Sequence, residues 1–175
     1  MRYRFAIFLI PLLCAGTALA LDLPTRKAGL WQLTMNFNNS KIPPQTMRQC
    51  IDGATDKLLN SNFGGAAQQS CTKQDMTRSG ATITVDSVCS FGGGSTTSHA
   101  VITGSFDSAY TMQVTSKRVG GPSYPGMHPT GETHMAIAAK WLGPCQAGQK
   151  PGDMLMANGM KVNVLELQKQ HPPGR

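Results

Sequence analysis

Residues 71–90 read CTKQDMTRSGATITVDSVCS, and this stretch decides the fold. Its second half, residues 81–90, alternates apolar and polar side chains with the period of two that marks a half-buried strand. An Arg-Ser-Gly-Ala turn signal separates it from the strand-like first half. We therefore expect an antiparallel hairpin centred on Gly80, which places Cys71 opposite Cys89.

Four cysteines follow the first twenty residues, and four cysteines allow three disulfide pairings. The hairpin favours Cys71–Cys89, because opposed strands bring the two sulfurs within bridging reach. Elimination then pairs Cys50 with Cys145. A four-thiolate zinc site is the alternative, but it needs closely spaced cysteine pairs that the sequence lacks. The pattern therefore predicts two disulfides and an oxidising compartment.

Further strands are expected on both sides of this hairpin. Alternation runs through residues 29–37 and 133–142, and a short strand is expected at 46–50. One short helix is expected at 52–63, capped by its aspartate and ended by Gly64-Gly65. Strands linked mostly by short turns, without βαβ alternation, predict an all-β fold, an antiparallel meander curling into a barrel or half-barrel.

A second hairpin is expected around residues 107–108. A two-residue turn there pairs Phe106 with Ala109, and hence Val101 with Val114. Small barrels hold one apolar ligand among their inward side chains, while dense packing in a closed core is the alternative use of the same residues. The candidate lining residues are Trp31, Leu33, Met35, Val101, Met112, Val114, Met135, Ile137 and Trp141.

The first twenty residues have the three parts of a secretory signal peptide. Two arginines precede the apolar run 5–13, and Ala18-Leu19-Ala20 gives the small-x-small pattern of a cleavage site. The apolar run is too short to span a membrane, so the mature protein is not expected to be transmembrane. We expect export to the periplasm, an all-β domain at 21–145, and an extension at 146–175 formed by a hairpin and a short helical turn.

Composition and charge exclude several function classes. The formal net charge is +7, but the basic residues are dispersed singly, which argues against a nucleic-acid partner. The sequence has no Gly-x-Ser-x-Gly elbow and no phosphate-binding loop, and its nine acidic residues are scattered, several of them in turns. We therefore expect no enzymatic activity and no cofactor.

One segment suggests metal chemistry. Met127, His128, His134 and Met135 flank a glycine, and thioether and imidazole groups are ligands that suit Cu(I). Strand alternation argues against a shared ligand set, because it sends His134 and Met135 to opposite faces. Methionines also serve as flexible core filler, which is the competing interpretation.

Four landmarks, in this order, resemble an exported bacterial family, domain of unknown function 3617. They are Ala28-Gly29-Leu30-Trp31, the segment 43–50 (PPQTMRQC), the Cys71-to-Cys89 hairpin, and Leu142-Gly143-Pro144-Cys145. The resemblance covers about residues 28–145 and implies a periplasmic all-β domain without an assigned activity.

The expected function is a non-enzymatic periplasmic module that binds a small apolar ligand or associates with the cell envelope. Copper binding through Met127, His128 and His134 is the alternative.

Overall fold

A computed structural model describes residues 23–38, 42–68, 71–91, 93–121 and 130–170, with the backbone alone for 61–68 and 91. Within these ranges the elements are β1 (Gly29–Asn38), β2 (Gln45–Ile51), α1 (Gly53–Gln68), β3 (Cys71–Ser79), β4 (Thr82–Phe91), β5 (Gly94–Ser105), β6 (Ala109–Val119), β7 (Gly131–Gly143), β8 (Asp153–Leu155), β9 (Lys161–Asn163) and α2 (Val164–Gln170).

All the described strands belong to one antiparallel sheet, in the order β3-β4-β5-β6-β7-β1-β2-β8-β9. Strands β3 to β7 form a meander, and β1 is inserted between β7 and β2. The sheet curls but does not close, because β3 and β9 are its two edges. The predicted all-β meander is confirmed, in its half-barrel form.

Both predicted disulfides are present. Cys71 pairs with Cys89 across the β3–β4 hairpin, and the two cysteines are opposed in the strand register. Cys50 pairs with Cys145, which joins the end of β2 to the chain just beyond β7. Because β1 lies between β2 and β7, this second bridge ties together the two neighbours of β1.

Helix α1 begins at a side-chain cap formed by Asp52. The Thr55 backbone N–H donates to Asp52 Oδ1 at 2.8 Å, and the Asp52 N–H donates to Thr55 Oγ1 at 2.9 Å. The hydrogen bond from the Thr55 N–H is the main cause of the lowered pKa of Asp52. The helix continues past Gly64-Gly65, so its predicted end was wrong. Glycine weakens a helix without blocking it, and two alanines follow directly.

The turn between β5 and β6 has three residues, not two. Ser105 pairs with Ala109, so Val101 pairs with Gln113 and the predicted Val101–Val114 pairing was wrong by one residue. The reason is Phe106, which leaves the strand and stacks on Tyr110 with ring centroids 4.7 Å apart.

The buried core lies where the sheet meets both helices. Trp31 is fully buried there, and the Lys27 carbonyl accepts its indole N–H at 2.7 Å. The other buried hydrophobic residues of this cluster are Ile51, Leu59, Ile83, Ile102, Tyr110, Ala139 and Val164.

The residues beyond Cys145 extend the same sheet. Strand β8 pairs with β2, and the Gly152 N–H donates to the Cys50 carbonyl at 2.8 Å. A hairpin joins β8 to β9, as the Ala157-Asn158-Gly159 turn predicts, and α2 contributes Val164 to the core. In the described residues, no helix is both long and apolar enough to cross a membrane.

Candidate functional site

The sheet has two chemically different faces. We define the inner face as the side of β1–β7 that carries Trp31 and Tyr110, and the outer face as the opposite side. Directly paired residues of an antiparallel sheet point to the same side, and alternate residues of a strand share a face. The strand registers therefore assign each residue to one face.

One end of the inner face is closed by packed side chains. The Trp31 and Tyr110 ring centroids lie 5.8 Å apart, and the Phe106 ring stacks on the Tyr110 ring. Leu59 of α1 and Val164 of α2 are buried in the same cluster. A ligand on the inner face would therefore have to lie toward the other end of the strands.

A buried ion pair secures α1 at the closed end. Arg26 Nε donates to Asp56 Oδ1 at 2.7 Å, and the Arg26 backbone N–H donates to Asp56 Oδ2 at 2.7 Å. Arg26 also donates to Gln49 Oε1 at 3.0 Å, and its guanidinium lies 5.8 Å from the Trp31 ring centroid. The side chains of the pair are only 5% and 0% exposed, so both charges depend on these contacts.

Tyr110 stands next to this pair. Burial raises the pKa of the Tyr110 phenol, and the nearby Asp56 carboxylate raises it further, while the Arg26 guanidinium acts in the opposite direction. The phenol is therefore neutral at physiological pH and acts as a packing group.

Toward the other end, one residue from each of six neighbouring strands forms a continuous apolar row. All six side chains except that of alanine are larger than a methyl group, and all six residues are half-buried. In sheet order the apolar row consists of Met76, Val85, Ala100, Val114, Met135 and Phe37.

A row of serines follows the apolar row on the same face, two residues farther along the strands. Ser87 of β4 pairs with Ser98 of β5, which pairs with Ser116 of β6. The Ser98 and Ser116 hydroxyl oxygens lie 2.8 Å apart in a hydrogen bond. All three serines are half-buried, so the inner face changes from apolar to hydroxyl-lined over one step.

Charges divide unequally between the two faces. On the described parts of β1–β7, the acidic residues Asp75, Asp86 and Glu132 all lie on the outer face. The charged residues of the inner face, over the same strands, are Arg78 and Arg118. The inner face is therefore cationic wherever it is charged.

The predicted lining residues can now be placed. Val101 lies on the outer face, because the corrected register moves it away from Val114. Ala100 takes the position that Val101 was expected to hold, and only knowledge of the three-residue turn would have found it. The other predicted lining residues share the inner face: Trp31, Leu33, Met35, Met112, Val114, Met135, Ile137 and Trp141.

The structure does not assemble a metal site in the residues it describes. His134 is on the outer face, with Nε2 2.9 Å from Glu132 Oε1 and Nδ1 3.2 Å from the Thr115 hydroxyl, whereas Met135 is on the inner face. Met127 and His128 lie outside the described residues. Over the described ranges, no three His, Cys, Asp or Glu side chains are grouped so as to hold a metal ion.

A shallow groove of about 480 Å³ lies on the outer face. Its threonines form cross-strand hydroxyl pairs: Thr103 pairs with Thr111 at 3.0 Å, and Thr34 pairs with Thr46 of the neighbouring strand β2 at 3.3 Å. Such pairs stabilise a sheet, and the groove is wide open to solvent. Most of its lining residues lie on the face opposite the apolar row. We regard the apolar row as the stronger candidate because its side chains are half-buried.

Asp153 at the start of β8 is a buried carboxylate with several close partners. It accepts hydrogen bonds from Asn163 Nδ2 at 2.9 Å and from the Lys150 backbone N–H at 2.9 Å, and Lys161 Nζ lies 2.8 Å away. Burial raises the pKa of this carboxyl, but the hydrogen bonds and the lysine outweigh it and lower the pKa to about 2. These contacts hold β8 against β9, which is a structural role.

Comparison with known protein families identifies a match for most of the chain. The family described as Protein of unknown function (DUF3617) matches residues 26–145, from the arginine of the buried ion pair to the last cysteine. No curated protein and no solved structure matches the chain.

Proposed function

We propose that this chain, which belongs to the DUF3617 family of proteins of unknown function, is an exported, non-enzymatic module. It holds a small apolar ligand on the inner face of its curled sheet. The apolar row carries this proposal. Side chains that fill a closed core are normally fully buried, whereas these six residues are half-buried on a sheet that does not close.

The chemistry of the lining supports an adaptable apolar site. Met76, Met135 and the neighbouring Met112 contribute unbranched thioether side chains, which adjust to ligands of different shape. Phe37 adds an aromatic surface at one end of the row.

Three of the described carboxylates are occupied in structural contacts. Asp52 caps α1, Asp56 pairs with Arg26, and Asp153 joins β8 to β9. This supports a binding role over a hydrolytic one. The two disulfides are compatible with an oxidising compartment, which supports export.

The binding test uses the neutral dye phenylnaphthylamine, whose fluorescence rises in apolar surroundings. We expect saturable binding to the disulfide-bonded protein. Replacing Val114→Thr introduces a hydroxyl into the apolar row without changing its shape, so the Kd for the dye should rise about tenfold.

Val101→Thr is the matched control, because it makes the same exchange on the outer face of the neighbouring strand. It should leave the Kd unchanged, and circular dichroism should show both variants folded. Equal Kd values for wild type and both variants, or no saturable binding at all, would remove the inner face as a ligand site.

A further inference from the structure

We propose that the edge of β3 away from β4 is a dimerisation surface, where a second copy of this chain pairs its own β3 antiparallel to the first. Among the described residues, β4 pairs with one side of β3 and no strand pairs with the other. Backbone N–H and C=O groups along that side are therefore available to another strand. The proposal concerns an interface and not a ligand, so it does not depend on the proposed function.

The two edges of the sheet differ in what they offer to a partner. Strand β9 has three residues, and α2 begins directly after it, so its edge is too short for stable pairing. Strand β3 has nine residues, and most of their side chains are exposed. Of the two edges, β3 therefore offers the one of ordinary strand length.

Two irregularities limit the part of β3 that can pair. The register with β4 shifts between Cys71 and Lys73, which marks a bulge in the strand. At the other end, Gly80 takes a positive φ of 60° in the hairpin turn. The regular edge is therefore formed by residues 73–79, with Met76 at its centre.

The regular edge is complementary to itself. A two-fold contact uses the same residues on both copies, and antiparallel pairing over residues 73–79 puts Met76 opposite Met76 of the second copy. In every remaining pair, a charged side chain faces an uncharged one that can form a hydrogen bond with it. These pairs, each formed twice, are Lys73 with Ser79, Gln74 with Arg78, and Asp75 with Thr77.

Other registers with matched faces are less favourable. Centring the pair on Asp75 places the two Asp75 carboxylates opposite each other, and like charges in that position are destabilising. Centring it on Thr77 shortens the pair and places Met76 opposite Arg78. Centring it on Gln74 extends the pair into the bulge. Charge and strand regularity therefore both favour the register centred on Met76.

The same register joins the apolar rows of the two copies. Met76 is half-buried, ends the apolar row at β3, and is the one hydrophobic residue among residues 73–79. Directly paired residues point to the same side of a sheet, so Met76 of the second copy continues the row on the inner face. The contact between the two thioether side chains gives a polar interface an apolar centre, which identifies a second copy as the partner.

Sedimentation velocity of the disulfide-bonded protein over a range of concentrations tests for the dimer. One pair of short strands is a small interface, so we expect a Kd of about 100 µM. Met76→Lys places two ammonium groups opposite each other at the centre of the contact and should raise this Kd at least about tenfold.

Met160→Lys is the matched control. Met160 is 52% exposed and lies directly before β9, at the opposite edge of the sheet. The same exchange at this position should leave the Kd unchanged, and circular dichroism should show both variants folded.

Single cysteines identify the register, because a residue at the two-fold axis faces its own copy. Met76→Cys should form an intermolecular disulfide under mild oxidation, since directly opposed strand residues lie within bridging distance. Asp75→Cys and Thr77→Cys should run as monomers on non-reducing gels, because their copies lie diagonally at about 7–8 Å. Peptide mapping should find Cys71–Cys89 and Cys50–Cys145 intact in all three variants.

Three results would overturn the proposal. The first is a wild-type chain that stays monomeric up to about 1 mM. The second is a dimer that Met160→Lys weakens and Met76→Lys does not, since the contact would then lie at the other edge. The third is stronger cross-linking through Asp75→Cys or Thr77→Cys than through Met76→Cys. The cysteine variants also decide the question if Met76→Lys does not fold.

Discussion

Arg26 and Asp56 illustrate what happens to single residues when charge is removed from water. Each loses its hydration, and the loss is offset by a direct ion pair and by further hydrogen bonds to the Asp56 carboxylate and from the Arg26 guanidinium. No sequence pattern pairs these two residues, because one precedes the first strand and the other lies on a helix. Only the assembled fold brings them together.

Replacing Asp56→Ala should be strongly destabilising, because it leaves the Arg26 guanidinium buried without its counter-ion. We expect the free energy of unfolding, measured by urea denaturation, to fall by about 3–5 kcal/mol. Replacing both partners, Arg26→Met with Asp56→Leu, should recover most of this loss. A double variant as unstable as Asp56→Ala would contradict the assignment of the loss to an unpaired charge.

Asp153 should make stability depend on pH in the acid range. Its folded pKa of about 2 lies below the ordinary value of 3.8, so the folded state binds fewer protons than the unfolded chain between these values. The resulting stabilisation, about 2 kcal/mol, is fully present above pH 3.8 and is lost as the pH falls through about 2.

Unfolding experiments across this pH range, comparing the wild type with Asp153→Asn, check the effect. The difference in free energy of unfolding between the two proteins should shrink toward acid pH. A difference that stays constant would show that Asp153 does not titrate with a lowered pKa.

At the scale of elements, local signals were sufficient wherever the partners are close in sequence. The β3–β4 hairpin and the β8–β9 turn follow from turn residues and alternation. The β5–β6 register did not, because the stacking of Phe106 on Tyr110 takes a residue out of the strand that alternation alone assigns to it. Likewise, α1 continues past a glycine pair that usually ends a helix, because glycine weakens a helix without blocking it and two alanines follow.

The two disulfides should contribute unequally to stability. Cys71–Cys89 closes a loop of 18 residues and Cys50–Cys145 one of 95. Constraint of the unfolded chain then predicts losses of about 3 and about 5 kcal/mol when each pair is replaced by serine. Urea denaturation of the two double variants measures both losses. Equal losses, or a larger loss for the Cys71–Cys89 variant, would show that native packing around the bridges, and not loop length, determines their contributions to stability.

At the scale of the whole molecule, the sequence could predict an open or closed meander but not where its first strand lies. The position of β1 between β7 and β2 depends on the pairing of Leu30 with both Gly143 and Cys50. Leu30 and Gly143 lie near opposite ends of the family match. The apolar row also depends on the pairing of β1 with β7. Five of its six strands are consecutive, but Phe37 joins the row only through that distant pairing.

Export is a prediction about the whole chain. In a bacterial host with its secretion machinery intact, the mature protein should begin at Leu21, as a mass spectrum of the intact chain would show. Replacing Ala18→Leu and Ala20→Leu should block processing by removing the small residues at the cleavage site. Recovery of an uncleaved wild-type chain from the extracytoplasmic fraction would refute the signal peptide.

The insertion of β1 between β2 and β7 also constrains the order in which the sheet can assemble. Strand β1 is the first described strand to be synthesised, yet its neighbour β7 is synthesised only after five other strands. The high contact order of that pairing is expected to make its closure slow. Until it forms, β1 carries one unpaired edge and Trp31 has no complete cluster around it, so the chain completes its assembly only after the residues up to Gly143 are available for folding.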